Sequence, residues 1–268
     1  MSQDLCSDFI AIAERTWKLI DSSEKTHINI SEESVTDLNL LELQSRHTSS
    51  EIITKKHPKG LESKTGADWE WWLGSNGSWL GLRVQAKKLN SNNLTYRNLD
   101  KWNTNGRQID LLTKGSRSNR TPMIPLYVFY NYWNQTQFSP KWLCKTYPPN
   151  IEMLGCGLSH ADFIKSVLNK KSRNLKDVSV SMYPWSCLVC CKGYSTDNFS
   201  LPFRAFHFLY GTFRDHIDQA NSNSYDERRF IIEEAPPYVY KLIEGEDLTE
   251  DDWLNIDVSR IQIIREFK

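Results

Sequence analysis

Apolar positions in residues 3–21 recur near a 3.6-residue spacing, with Leu5, Phe9, Ile12, Leu19 and Ile20 on one face, and predict an amphipathic helix. The polar link HINISEES follows. Thr36 is the predicted N-cap of a second helix, with Leu38, Leu40, Leu41 and Leu43 behind it. Asp37 then lies in the positively polarised first turn, and Glu32 and Glu33 sit just before the start. β-Branched residues 50–56 predict a strand that ends at the turn 57–60.

Residues 61–89 then read as a hairpin. Asn76-Gly77 is its turn signal, because a two-residue type I′ turn needs positive φ at both centres. That turn sets Trp69, Trp71 and Leu73 opposite Val84, Leu82 and Leu80 as one apolar face. The other face carries Asp68 opposite Gln85 and Glu70 opposite Arg83, with Lys87 one step beyond.

Further along, residues 97–114 predict a helix through Leu99, Trp102, Ile109, Leu111 and Leu112, weakened by Gly106. The run MIPLYVFYNYW predicts a buried strand. The stretch IEMLGCG predicts another strand, Ser159 a cap for a helix through Lys170, and residues 177–191 a strand interrupted by Pro184. Residues 203–219 predict a helix, and two strands are expected around 229–233 and 257–266. Alternating strands and helices make an α/β fold with helices packed on a sheet.

Composition sharpens this picture. The 268 residues include ten Trp, eleven Tyr and eleven Phe, enough for a sizeable core. No apolar run reaches the roughly 18 residues of a membrane span, so no membrane partner is expected. The acidic N-terminus does not read as an export signal, and six Cys suit reduced thiols in a cytoplasmic protein. A net charge of zero argues against a general polyanion binder. Its distribution does not: residues 83–120 hold nine Lys/Arg against two Asp, where a phosphate backbone would lie beside the hairpin. Tyr96 and Trp102 are the aromatic residues of that stretch available as stacking platforms, although Trp102 reads more readily as core. Residues 226–252 are acidic instead, with ten Asp/Glu against three Lys/Arg.

The hairpin's polar face carries the candidate chemistry. Asp68 and Glu70, two apart on a strand, point the same way and supply the oxygen ligands that Mg²⁺ takes. Lys87 brings an ammonium to orient a water or to stabilise charge on a phosphate, and Gln85 offers a carbonyl to the metal. The plain alternative is a set of surface ion pairs, Asp68 with Lys87 and Glu70 with Arg83, each worth about 0–1 kcal/mol. Cys187-x-x-Cys190 with Cys144 and Cys156 lacks a second such pair, so it reads as core rather than as a zinc site.

Asp68-x-Glu70 followed by Gln85-Ala86-Lys87 resembles the PD-(D/E)XK nuclease signature in its Gln-x-Lys form, typical of Mrr-like restriction endonucleases, over about residues 30–135. ESKTGADWEWW with VQAKKL resembles bacterial proteins associated with anti-phage defence. The resemblance implies a restriction-endonuclease-like core of helix, three strands, helix and strand, so residues 1–135 read as an N-terminal helix plus this core, and residues 136–268 as a C-terminal α/β elaboration packed on it as one domain. It implies an endonuclease acting on DNA, with RNA left open, in defence against foreign DNA, and Mg²⁺ or Mn²⁺ as cofactor. It assigns a metal ligand to Asp68, a second contact to Gln85 and a catalytic lysine to Lys87. A glutamate from the first core helix completes such sites, with Glu33 the first candidate and Glu42 the second. Gln rather than Glu at position 85 leaves fewer negative ligands, so Glu62, Glu70 or Glu33 is expected to compensate. Cutting both strands of a duplex would favour a homodimer, and a toxic nuclease calls for a regulatory partner. The alternatives are an inactive nucleic-acid-binding module of the same fold and a protein-interaction domain that uses the acidic segment.

Overall fold

A computed structural model describes residues 4–57, 64–118, 121–191, 199–220 and 227–267. Glu62 and most of the turn at 57–60 lie outside the described residues. Helix α1 (Leu5–Thr26) is capped by Asp4, whose carboxylate accepts from Cys6 N, and it runs beyond the predicted span. Helix α2 (Glu32–Ser45) starts five residues earlier than predicted. Ser31 is its N-cap, with Oγ accepting from Ser34 N at 3.0 Å, whereas Thr36 Oγ1 bonds back to Glu32 O inside the helix.

Strands β1 (Ile52–Lys56), β2 (Trp69–Ser75) and β3 (Ser78–Lys88) follow. Asn76 and Gly77 both take positive φ, 49° and 76°, and the register pairs Trp69 with Val84, Glu70 with Arg83, Trp71 with Leu82 and Leu73 with Leu80, as predicted. The helix expected over 97–114 starts later. A small antiparallel ribbon, β4 (Trp102–Asn103) and β5 (Gly106–Arg107), precedes α3 (Gln108–Ser118). Gly106 at φ 131° turns the chain where a helix would need negative φ.

Strand β6 (Ile124–Tyr130) is buried along its whole length. The segment read as one strand at 151–157 is a 3₁₀ turn, Ile151–Gly155, followed by β7 (Cys156–His160). Helix α4 (Ala161–Asn169) is capped by His160 instead of Ser159. Residues 177–191 break into short pieces after α5 (Leu175–Val178): β8 (Tyr183–Pro184) and the single-turn helix α6 (Cys187–Cys190). Helix α7 (Leu201–Ala220), α8 (Glu227–Phe230), β9 (Ile231–Ile232), α9 (Pro237–Ile243), α10 (Glu250–Ile256) and β10 (Arg260–Arg265) complete the described chain.

The main sheet is mixed, in the order β1-β10-β2-β3-β6-β7-β8, with β9 on β3. Strand β10 runs antiparallel to β1 and parallel to β2, and β3 is parallel to β6. Residues beyond 135 therefore contribute β7, β8, β9 and β10 to this sheet, with β10 inserted between β1 and β2. Alternation sorts the side chains into two buried clusters. Trp69, Trp71, Leu80 and Leu82 pack with Phe9 and Ile12 of α1 and Val35 and Leu40 of α2. Trp72 and Phe129 pack with Ile109 and Leu112 of α3 and Ile164 of α4.

The expectation of six free thiols is corrected. Cys6 at the start of α1 and Cys190 in α6 form a disulfide, because α1 lies against α6; Cys144, Cys156, Cys187 and Cys191 remain free. No helix among the described residues is long and apolar enough to cross a membrane.

Candidate functional site

Asp68 sits at the bend before β2, and its backbone N–H donates to Val84 O at 2.8 Å, continuing the hairpin ladder by one step. Just upstream the chain leaves the sheet at Gly66, with φ 72°, where a Cβ would lie 2.3 Å from Gln108 O. The ladder therefore lacks a backbone acceptor for Ala86 N, and the carboxylate of Asp68 supplies it. Asp68 Oδ2 accepts from Ala86 N at 2.8 Å and from Gln85 Nε2 at 2.5 Å. The half-buried aspartate is thus fixed against β3.

Gln85 spends both amide protons, on Asp68 and on Ala86 O at 3.0 Å. Its Oε1 is buried and has no hydrogen-bond partner among the described residues. Tyr127 pairs with Gln85 across the β3–β6 register, and its buried hydroxyl is in the same condition. Burial, with the negative charge of Asp68 adding to it, pushes the Tyr127 phenol far above its ordinary value and keeps it protonated. Two buried polar atoms from adjacent strands thus have no protein partner among the described residues and are open to a ligand or an ordered water.

Lys87 is buried at 3% exposure, and its Nζ lies 3.7 Å from Glu32 Oε1. Glu32 is the first residue of α2. Its Oε2 accepts from Lys88 N at 2.8 Å, while Lys88 Nζ donates to Ile30 O at 2.7 Å. Those bonds hold the helix start over the end of β3. Burial raises the Glu32 carboxyl, opposed first by Lys87 and reinforced by Asp68. Asp68 is likewise raised by burial, with Lys87, Ala86 N and Arg260 opposing and Glu33 adding to the shift. The acids and the lysine thus form one electrostatic group.

Of the residues expected at the site, Asp68, Gln85 and Lys87 come together. Glu33 is exposed in the first turn of α2 and within electrostatic reach of Asp68, but its neighbour Glu32 makes the contact to Lys87. Recognising Ser31 as the cap would have placed Glu32 in that first turn. Glu42 is engaged by Arg15 at 2.6 Å and by Arg46 at 2.5 Å. Glu70 is taken up by other donors: Arg83 Nε at 3.0 Å, Tyr238 OH at 2.6 Å and Trp72 Nε1 at 3.2 Å. The polar face of the hairpin is not a surface; Glu70, Arg83, Gln85 and Lys87 are all buried.

These donors are hard oxygens, which suit Mg²⁺ or Mn²⁺ rather than a soft metal. They do not form a closed carboxylate cage. Among the described residues, the one trio of His, Cys, Asp or Glu ligand atoms within 4.8 Å of one another is Cys144, Cys187 and Cys191. An open set of one or two carboxylates with an amide carbonyl still fits Mg²⁺, which keeps several waters and leaves room for phosphate.

The molecule is therefore a mixed α/β protein in which a half-buried aspartate meets a buried glutamine and lysine at one end of its central hairpin. Residues 5–268 match a family described as Family of unknown function (DUF6615), and the chain belongs to it. No curated protein and no solved structure matches the chain.

Proposed function

We propose that this protein is a Mg²⁺-dependent endonuclease with a restriction-endonuclease-like core, acting on DNA in defence against foreign genetic elements, with Mn²⁺ as the alternative ion. The convergence of Asp68, Gln85 and Lys87 beside two partnerless buried polar atoms carries this reading. Asp68 and the Gln85 carbonyl would hold the ion, with Glu32 and Glu33 at its rim. The ion would supply charge stabilisation on the phosphate and a lower pKa for the attacking water. Lys87 would donate to a non-bridging phosphate oxygen as negative charge builds, in a setting too dry for water to screen it. Tyr127, held protonated, would donate its hydroxyl proton to the same group. Ala86 N keeps the Asp68 carboxylate aligned throughout.

Lys101 is exposed and acts electrostatically on Glu32, and Arg97 and Lys114 of the same basic stretch are exposed as well. Trp102, expected in the core, is 67% exposed on the β4 ribbon next to Lys101, whereas Tyr96 is buried with its hydroxyl donating to Asn131. Trp102→Ala should weaken substrate binding by about 1–3 kcal/mol through lost base stacking. It should raise KM and leave kcat little changed, as steady-state cleavage of a fluorescent oligonucleotide would read.

The raised carboxyls give a pH signature. Folded-state pKa values above the unfolded ones favour the metal-free fold at low pH, and that contribution is lost as pH rises through the raised values of Asp68 and Glu32. Protons and the cation compete for the same oxygens. Mg²⁺ should therefore raise the Tm clearly at pH 8 and much less at pH 5, in a thermal-shift titration at fixed ionic strength.

The deciding experiment is divalent-metal cleavage of supercoiled plasmid, single-stranded DNA and RNA. Cleavage of plasmid by the wild type with Mg²⁺ is expected, and cleavage of RNA alone would change the substrate. No cleavage with Mg²⁺ or Mn²⁺, alongside retained DNA binding, would make the protein a binding module.

A further inference from the structure

The sulfur atoms of Cys144, Cys187 and Cys191 all lie within 4.8 Å of one another, and Cys144 Sγ is 3.9 Å from Cys191 Sγ. The pair from α6 arises because its single turn places residues 187 and 191 on one side, with Cys191 N donating to Cys187 O at 3.1 Å. Cys144 comes from residues 131–150, a segment with no helix or strand. Buried cysteines often serve only as small apolar fillers. Here the three thiols line a cavity of about 290 Å³ together with Lys145, Thr146, Tyr183 and Phe208. Thr146 Oγ1 donates to Cys191 Sγ at 3.1 Å, the kind of outer bond that orients a ligating thiolate.

We propose that Cys144, Cys187 and Cys191 form a zinc site, with three thiolates on the ion and the fourth position turned to the cavity. Tetrahedral zinc with Zn–S near 2.3 Å sets its sulfurs about 3.8 Å apart, close to the Cys144–Cys191 separation. Soft thiolates select zinc over Mg²⁺, so this centre and the oxygen site at Asp68 would not exchange ions. Such a centre would fasten the 131–150 segment to α6, beside the Cys6–Cys190 disulfide, while its fourth position stays open to a ligand from the cavity. Zinc binding releases the thiol protons and adds no redox step.

Anaerobic titration of the full chain with Co²⁺, without reductant so that Cys6–Cys190 stays paired, tests this. One equivalent should bring up sulfur-to-cobalt charge-transfer absorption, and added Zn²⁺ should abolish it. Cys144→Ser should lower the band by about one third, one thiolate of three, while Cys156→Ser leaves it intact. Cobalt on oxygen ligands gives no such band, so the Asp68 site cannot mimic the result. A wild-type chain without the band, or a band unmoved by Cys144→Ser, would overturn the proposal. Should Cys144→Ser fail to fold, the wild-type titration decides alone.

Discussion

Asp68→Asn should abolish Mg²⁺-dependent cleavage while the protein stays folded. Asparagine keeps the size of the side chain and one carbonyl oxygen to accept from Ala86 N and Gln85 Nε2, so the strand register has no reason to move. What it removes is the negative charge. A bound cation contributes several kcal/mol of transition-state stabilisation. At about 1.4 kcal/mol per tenfold in rate, its loss amounts to roughly three orders of magnitude. The Mg²⁺-induced rise in Tm should vanish with it. Lys87→Met separates the two roles. Its ammonium is buried and faces Glu32 at 3.7 Å, beyond hydrogen-bond reach, so the neutral chain should lower the rate by about 10²–10³-fold. The Mg²⁺ shift should persist, because Asp68 and Gln85 are untouched. Single-turnover cleavage and thermal shift on both variants give a two-by-two pattern. A fully active Asp68→Asn protein would refute the site.

The hairpin was legible because its determinants are local. Two residues, Asn76 and Gly77, fixed the turn, and period-two alternation carried the register out to Asp68, Gln85 and Lys87. The start of α2 was legible in principle too, but Thr36 and Ser31 both make plausible caps. Only packing decides which one is used, and with it whether Glu32 or Glu33 turns inward. Gly106 was read as a weak point in a helix and proved to be a turn, which left Trp102 on the surface instead of in the core. The insertion of β10 between β1 and β2 has no local signal, since about 200 residues separate the partners in sequence. The meeting of Cys144 with Cys187 and Cys191 has no local signal either, since 47 residues separate Cys144 from Cys191. A CxxC count directs attention to Cys190, which is bonded to Cys6, whereas the fold uses the 187 and 191 spacing of one helical turn.

Glu70 offers the sharpest contrast between two readings of one residue. Both were open from the sequence: a metal ligand two residues after Asp68, or the cross-strand partner of Arg83. In the fold, Glu70 and Arg83 are 1% and 3% exposed, and Arg83 Nη2 also reaches Ile256 O at 3.4 Å at the end of α10. Tyr238 of α9 donates to Glu70, and burial, then the adjacent Glu70 charge, hold its phenol far above its usual value. The pair thus ties β2 and β3 to the C-terminal helices. Glu70→Leu leaves a guanidinium buried without its counter-ion, which costs about 3–5 kcal/mol. For a chain of this length that corresponds to a Tm drop on the order of 10 °C. Glu70→Leu with Arg83→Met removes both charges together and should recover most of the loss, because desolvating the two ions offsets much of their attraction. Trp72 Nε1 and Tyr238 OH, 3.0 Å apart, keep a bond to each other when the acceptor is gone. The double variant should also keep its Mg²⁺ response and its cleavage rate. If Glu70 instead ligates the cation, the double variant will be stable and metal-blind, and Glu70→Gln alone will lose activity with little change in Tm.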